Sequence, residues 1–396
     1  MTVLGLDIHV DVGRVLLYDN ELLDELRRVY GHSLHVLLTA LTAPPRRYYF
    51  RVNVLRREPG VVLDEMRAEG YRVYMDEHWG EALWLPVVGP QRIQLHDCTI
   101  VVDKRAAESV MMGANLYAPG VVKVENCVAP GREVNIVSEN GVVVAEAVAA
   151  EGFQEALRRG RGLIARTVRP LYSVPSLRET RWHREGVIYE QSVSSMTVGR
   201  VLGAEPGSVV VDMCAAPGGK TGHIYELMGG RGRVIAVDHS RSKTRRLREE
   251  MERLGHRGVE IILADARRLP EILGEGVVDY VVLDPPCSSI GVIPKIYDKK
   301  SIEDIEKLAR YQRSFLRAAA RLLKPGGVLV YSTCTVTVSE NEANIEYAVK
   351  RLGFTVEDAW PRRWSRGLGG YGAAAQRVHP HVHGSTGYFV ARLRRR

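Results

Sequence analysis

The chain has 396 residues, more than one hydrophobic core usually holds, so two or three domains are expected. Hydrophobic residues at 45% and charged residues at 26% are globular proportions, and no apolar run nears the ~18 residues of a membrane span, which argues against a transmembrane helix. A formal charge of +8 suits an anionic partner without identifying it, and five cysteines without a CxxC pair supply neither a disulfide framework nor a zinc site. Reduced thiols are therefore expected, with a Cys98–Cys127 pair left open. The opening MTVLGLDIHVDV has no basic start, long apolar stretch or small-residue cleavage site, so a cytoplasmic protein is expected.

The first clear element is NELLDELRRVY (20–30), a helix with Leu22, Leu23, Leu26 and Val29 on one face, Asn20 as its cap and Gly31 as its stop. After Pro44 and Pro45, RRYYFRVNVLRR (46–57) reads as a basic strand with aromatic residues. Arg46, Arg47, Arg51, Arg56 and Arg57 are candidate phosphate contacts there, although the same run fits a half-buried structural strand. Between Gln91 and Arg166, the runs RIQL, TIVVD, GVVKV, EVNIVS and GVVVAEAVA, set off by Gly and Pro, predict a small all-β barrel inside an otherwise α/β chain.

From Ser208 onward strands alternate with helical patterns: VVVD (209–212), RVIAVD (233–238), VEIILA (259–264), VVDYVVLD (277–284) and GVLVYS (327–332). Such apolar runs joined by helices predict a mainly parallel sheet covered on both faces, with ligand at the carboxyl ends of its strands. CAAPGGKT (214–221) follows a strand and opens a helix, so its glycines admit close backbone approach and its helix start offers free N–H donors. A phosphate loop would need glycine where Cys214 stands, which excludes an ATPase of that type. Cys214, Ala215, Ala216, Pro217, Gly218, Gly219 and Lys220 are thus candidate contacts to another cofactor. Asp238 is placed to accept from a ribose diol and Asp265 to meet an adenine amino group; either acid alone could cap a turn, but Asp238, Asp265 and Asp284 close three successive strands. Cys287 in DPPCS (284–288) and Cys334 in STCT (332–335) are both candidate nucleophiles, because either thiol at a strand end can attack carbon. HPHVHG (379–384) invites a metal reading, but no Cys, His or Asp cluster accompanies it and none is expected.

Two resemblances sharpen this reading. VVDKRAAESVMMGANLYAPGVVKVENCVAPGREVNIV (101–137) resembles a PUA domain, with that fold's helix, Gly-Ala step and Pro-Gly turn, which implies contact to structured RNA. CAAPGGKT, AVDHS, DPPCS, YSTCT and ENE (340–342), in that order, together with PPRRYYFRVNVLR and EGVIYEQSVSSM (185–196), resemble the Sun-type RNA cytosine-5 methyltransferases, a branch of the class I methyltransferases. The resemblance implies S-adenosylmethionine as cofactor, Cys334 as nucleophile, Cys287 in product release, Asp284 at the N3/N4 edge of cytosine, Lys220 between cofactor and base, and Lys243 against the cofactor. It implies a Rossmann-like domain over 201–396, and a PUA domain (91–166) inserted in an α+β RNA-binding region (1–90 and 167–200). A tRNA substrate near its acceptor end is expected, with ribosomal RNA or a non-catalytic RNA-binding role as rivals, and with no membrane, no metal and a monomeric enzyme. Arg392 to Arg396 of the tail join the candidate phosphate contacts. The chain reads STGYF (385–389) where Asp-Gly-Phe-Phe is usual, so no role of that Asp is carried over.

Overall fold

The computed structural model describes residues 12–396; residues 1–11, nearly all of the segment read for a secretion signal, lie outside them. No described helix is long and apolar enough to cross a membrane. The carboxyl-terminal half is built on a sheet whose five parallel strands run Val259–Leu263, Arg233–Asp238, Val209–Asp212, Val278–Leu283 and Leu323–Thr333. Their side chains are apolar in succession because both faces are covered: Val211, Ile235, Val281 and Leu329 pack into one layer, and Val210, Val234, Val282 and Val330 into the other. The strand Tyr388–Arg395 then pairs antiparallel with Leu323–Thr333.

That last strand corrects the reading of the basic tail. Arg392 binds Glu357 at 2.8 Å and the carbonyls of Val201 and Leu202, Arg394 pairs with Glu357, and Arg395 donates to the Leu352 carbonyl. These three guanidinium groups close the sheet and are not free for phosphate, whereas Arg396 is exposed.

The amino-terminal region forms a second sheet, ordered Ile188–Glu190, Arg47–Val52, Ala82–Pro86 and Tyr74–Met75. Arg46 and Arg47 are exposed, as phosphate contacts require. Arg51 instead is fully buried against Glu226 at 3.0 Å, Arg56 donates to the Leu254 carbonyl, and Arg57 pairs with Glu65 at 2.7 Å. The helix Asn20–Tyr30 buries Leu22 and Leu26 as expected, but its cap is Asp19, whose carboxylate accepts from Leu22 N–H at 2.9 Å. Asn20 is the first helical residue.

Between the two amino-terminal pieces lies a six-stranded sheet, ordered Leu116–Tyr117, Leu163–Pro170, Val143–Ala149, Glu133–Ser138, Thr99–Val102 and Val121–Val124, curled over Ile100, Ile136, Val144 and Ile164. A Cβ at Gly120 would meet Ala106 Cβ at 2.3 Å, so the Pro-Gly turn admits only glycine where it crosses the helix Lys104–Val110. RIQL is not a strand. The backbone there is held by distant side chains: Asn135 accepts from His96 N–H and donates to the Gln94 carbonyl, while Glu146 accepts from Gln94 N–H. Cys98 and Cys127 form a disulfide, contrary to the expectation of reduced thiols, because the pairing of Thr99–Val102 with Val121–Val124 brings their Cα atoms to 5.8 Å.

Candidate active site

The site forms where parallel order places the ends of Val278–Leu283 and Leu323–Thr333 side by side, Leu283 opposite Tyr331. Asp284 and Cys287 lie just past the first strand and Cys334 just past the second. The two sulfur atoms are 3.3 Å apart. The hydrogen bond from the Cys287 thiol holds Cys334 below the ordinary thiol range against the opposing effect of burial, and Ser289 and Lys220 act in the same direction. The same sulfur pair, with burial, pushes Cys287 well up. The two thiols therefore titrate as a pair, with Cys334 the sulfur favoured to lose its proton first.

Lys220, second residue of the helix Gly219–Leu227, reaches Asp284 Oδ2 at 2.5 Å. Burial alone would lower its pKa, but the charge of Asp284 prevails and keeps the ammonium protonated. The other carboxylate oxygen of Asp284 accepts from Ser332 Oγ at 3.0 Å and from the Tyr388 hydroxyl at 3.2 Å. Asp284 is therefore fixed from one helix start and two strand ends before any base arrives.

Below the thiols, Glu340 joins the two cysteine loops. Its Oε1 accepts from Ser288 N–H at 2.9 Å and Gln312 Nε2 at 2.9 Å, and its Oε2 from Ser288 Oγ at 2.6 Å and Thr337 Oγ1 at 3.0 Å. Ser288 Oγ also lies 2.7 Å from Thr335 Oγ1. The residues that follow Cys287 and Cys334 are thus tied to one carboxylate. The helix Asn20–Tyr30 adds a support from above, as Glu25 accepts from the N–H groups of Val338 and Ser339 at 2.7 and 2.8 Å.

A cavity of about 350 Å³ opens beside the thiols and brings together Cys214, Ala216, Asp238, Lys243, Asp265, Asp284, Cys287 and Cys334. Asp238 is nearly buried and spends Oδ1 on Ser240 N–H, while its Oδ2 has no partner among the described residues, as a diol acceptor requires. Asp265 lines the cavity but gives both oxygens to Arg267. Ala215, Pro217, Gly218 and Gly219 are not among the residues lining the cavity: Ala215 N–H is tied to the Val237 carbonyl, and a Cβ at Gly218, where φ is 115°, would lie 2.8 Å from Leu247 and Met251. The turn thus fits closely on the helix Arg241–Leu254, beside an open, acid-lined cleft suited to a nucleoside with a cationic group.

Two of the three histidines are hydrogen-bonded within the protein: His379 N–H donates to His383 Nδ1 at 2.8 Å, Tyr30 OH meets His379 at 3.1 Å, and Ser365 meets His383 at 3.2 Å, while His381 packs edge-on against the Tyr30 ring. Burial pushes His379 down to about 3, so it stays neutral. Among the described residues no group of His, Cys, Asp and Glu is placed to hold a metal ion. Reading the sequence missed Tyr388, whose hydroxyl touches Asp284; the signal was the tyrosine in STGYF where phenylalanine is usual. It also left Glu340 without a role although ENE was noticed.

A parallel sheet of this order, with acids closing three strands that follow one another in sequence, is that of the class I S-adenosylmethionine-dependent methyltransferases. Residues 200–394 match the family model of 16S rRNA methyltransferase RsmB/F, and residues 99–171 match the PUA domain. The chain is 36% identical to tRNA (cytosine(72)-C(5))-methyltransferase of Pyrococcus horikoshii over 96% of its own length and 97% of that protein. The chain belongs to the Sun-type family of RNA cytosine-5 methyltransferases, in the branch that carries a PUA domain. The crystal structure of NSun6 from Pyrococcus horikoshii with SFG superposes with a TM-score of 0.88, at 36% identity and over 96% of this chain and 98% of that one. Ribosomal RNA small subunit methyltransferase F of Shewanella amazonensis is 35% identical over only 54% of this chain and 47% of that protein.

Proposed function

We propose that this protein is a cytoplasmic, monomeric S-adenosylmethionine-dependent methyltransferase that acts on C5 of cytosine 72 in tRNA, near the acceptor end. The carrying observation is the pair of thiols 3.3 Å apart beside the Lys220–Asp284 pair. Cytosine C5 is a poor nucleophile, so a sulfur must first add to C6; Cys334, the more acidic thiol, makes that bond, and Cys287 serves the later release. Asp284, pinned by Lys220, Ser332 and Tyr388, receives the N3/N4 edge of the base. Asp238, Lys243 and Asp265, with the turn from Cys214 to Lys220, hold the cofactor, which when bound supplies an electrophilic methyl group. Because C5 and C6 are stacked within a helix, the target nucleotide must be flipped out to reach Cys334.

Matches spanning both halves of the chain support tRNA over ribosomal RNA, since the ribosomal RNA relative covers only the catalytic half. On this reading the PUA domain (91–166, its last strand reaching Pro170) sits within an RNA-binding region (1–90 and 167–200) ahead of the catalytic domain (201–396). The test is incubation with S-adenosylmethionine and tRNA plus ribosomal RNA from a methylation-deficient source, followed by bisulfite sequencing. One protected cytosine, at position 72 of tRNA, is expected; protection only in ribosomal RNA overturns the substrate. Cys334→Ala should abolish protection, and Cys287→Ala should trap a protein–RNA adduct that survives denaturing electrophoresis.

A further inference from the structure

Ser289 is the only non-glycine residue among the described residues with a positive φ, at 57°. A side chain in this left-handed conformation is disfavoured, and glycine would occupy it without strain, so the position carries a serine against its local preference. The surroundings hold it there. Its carbonyl accepts from Val292 N–H at 3.1 Å and from Lys295 Nζ at 2.9 Å, and Lys295 is itself buried and paired with Asp298 at 3.3 Å. Gly291 N–H, two residues on, is tied to the Cys334 carbonyl at 3.0 Å.

This turn sets the Ser289 hydroxyl on the cavity wall, 3.4 Å from Cys334 Sγ and 3.8 Å from Cys287 Sγ. Its one other partner is the Cys287 carbonyl at 3.4 Å, a long contact that does not account for a strained backbone. We propose that Ser289 is a catalytic residue of the cytosine-5 reaction, its hydroxyl turning to donate a hydrogen bond to the Cys334 thiolate and so keeping that sulfur ready to attack C6. The inference rests on Cys334 being the attacking sulfur. Around that sulfur stand the Cys287 thiol, the Asp284 carboxylate, the Lys220 ammonium and the Tyr388 hydroxyl. Lys220 and Cys287 favour the thiolate and Asp284 opposes it, so the net balance depends on each small donor.

The decisive variant is Ser289→Gly, which relieves the backbone and removes only the hydroxyl. In the full-length protein, iodoacetamide labelling of Cys334 is followed against pH by peptide mass spectrometry, beside methyl transfer to a tRNA transcript and the thermal midpoint. Loss of one hydrogen bond to a charged sulfur should move the labelling midpoint up by about one to two pH units. Methyl transfer near pH 7 should fall about ten- to a hundredfold and recover as pH rises, with no loss of thermal stability. Ser289→Ala, which keeps the Cβ and loses only Oγ, should shift in the same way. Unchanged labelling and turnover in Ser289→Gly, or a shift in the glycine variant but not the alanine one, overturns the proposal and leaves Ser289 a turn residue. Retained methyl transfer in Cys334→Ala would instead remove the underlying choice of nucleophile, so the two failures are distinct.

Discussion

Under the two thiols, Glu340 accepts four directed hydrogen bonds from neutral donors, whereas at the helix Gly219–Leu227 Arg51, Glu226 and His256 meet as ionisable groups with none of their side-chain polar atoms hydrogen-bonded. Arg51 and Glu226 are 3.0 Å apart, yet the N–H directions miss the oxygens, so the contact is ionic and not a formed hydrogen bond. The first cluster fixes where atoms sit; the second pulls two bodies together. Each suits its place. The covalent route proposed above needs Cys287, Cys334 and Asp284 held in one arrangement, and only directional bonds do that. Docking the amino-terminal sheet on the helix Gly219–Leu227 needs attraction, and Gly222 leaves the room: a Cβ there would lie 2.6 Å from Arg51 Nη2.

The comparison breaks most directly at Glu340. Glu340→Ala leaves Ser288 N–H, Ser288 Oγ, Gln312 and Thr337 without their acceptor, and a loss of about 3–5 kcal/mol in unfolding free energy is expected. The single-turnover rate of the remaining folded enzyme should fall on the order of a hundredfold, because the cysteine loops lose their shared anchor. A destabilised variant with an unchanged rate would show that the carboxylate supports the fold and not the reaction.

Arg51 gives the smaller and more reversible effect. Arg51→Met alone strands Glu226 as a buried charge and should cost about 3 kcal/mol, whereas Arg51→Met with Glu226→Leu should recover most of that loss. Both variants should keep single-turnover rates within a few fold of the parent. A double variant as unstable as the sum of its singles would mean that the guanidinium has a directional role after all, and the contrast with Glu340 would collapse.

The same contrast explains what could be read from the chain. VVVD, RVIAVD, VVDYVVLD and GVLVYS announced a doubly covered sheet because burial on both faces leaves no polar alternation, and CAAPGGKT, DPPCS and STCT are local strings whose chemistry travels with them. What failed depends on partners far away in sequence. Arg51 looked like a phosphate contact until Glu226, 175 residues on, neutralised it. Arg392, Arg394 and Arg395 of the tail looked free until Glu357 and four backbone carbonyls claimed them. RIQL has strand composition, yet Asn135 and Glu146 supply the hydrogen bonds that a neighbouring strand would have given. Ser289 was invisible because a positive φ belongs to the folded turn and not to the residue type.

The finest probe of the docking cluster is its second ion pair, which adds pH to the comparison. Glu81, just ahead of the strand Ala82–Pro86, accepts from Arg200 Nε at 2.8 Å and meets Nε2 of His223, in the helix Gly219–Leu227, at 3.0 Å. Burial pushes the Glu81 carboxyl up, but His223 and Arg200 prevail and hold it well below the carboxylate range, while burial pushes His223 down. A carboxylate with a depressed folded pKa stabilises the fold above its unfolded value and loses that contribution as pH falls. Thermal midpoints of the wild type should therefore drop as pH falls, gently from about pH 6.5, where unfolded histidine begins to bind the proton that buried His223 refuses, and more steeply below about pH 4.5; Glu81→Gln should flatten only the lower part of that limb while starting from a lower midpoint at pH 7. Parallel acid limbs in the two proteins would exclude Glu81 as the titrating contact, and the docking surface would then hold by packing of Tyr49, Ala82 and Ile224 instead of charge.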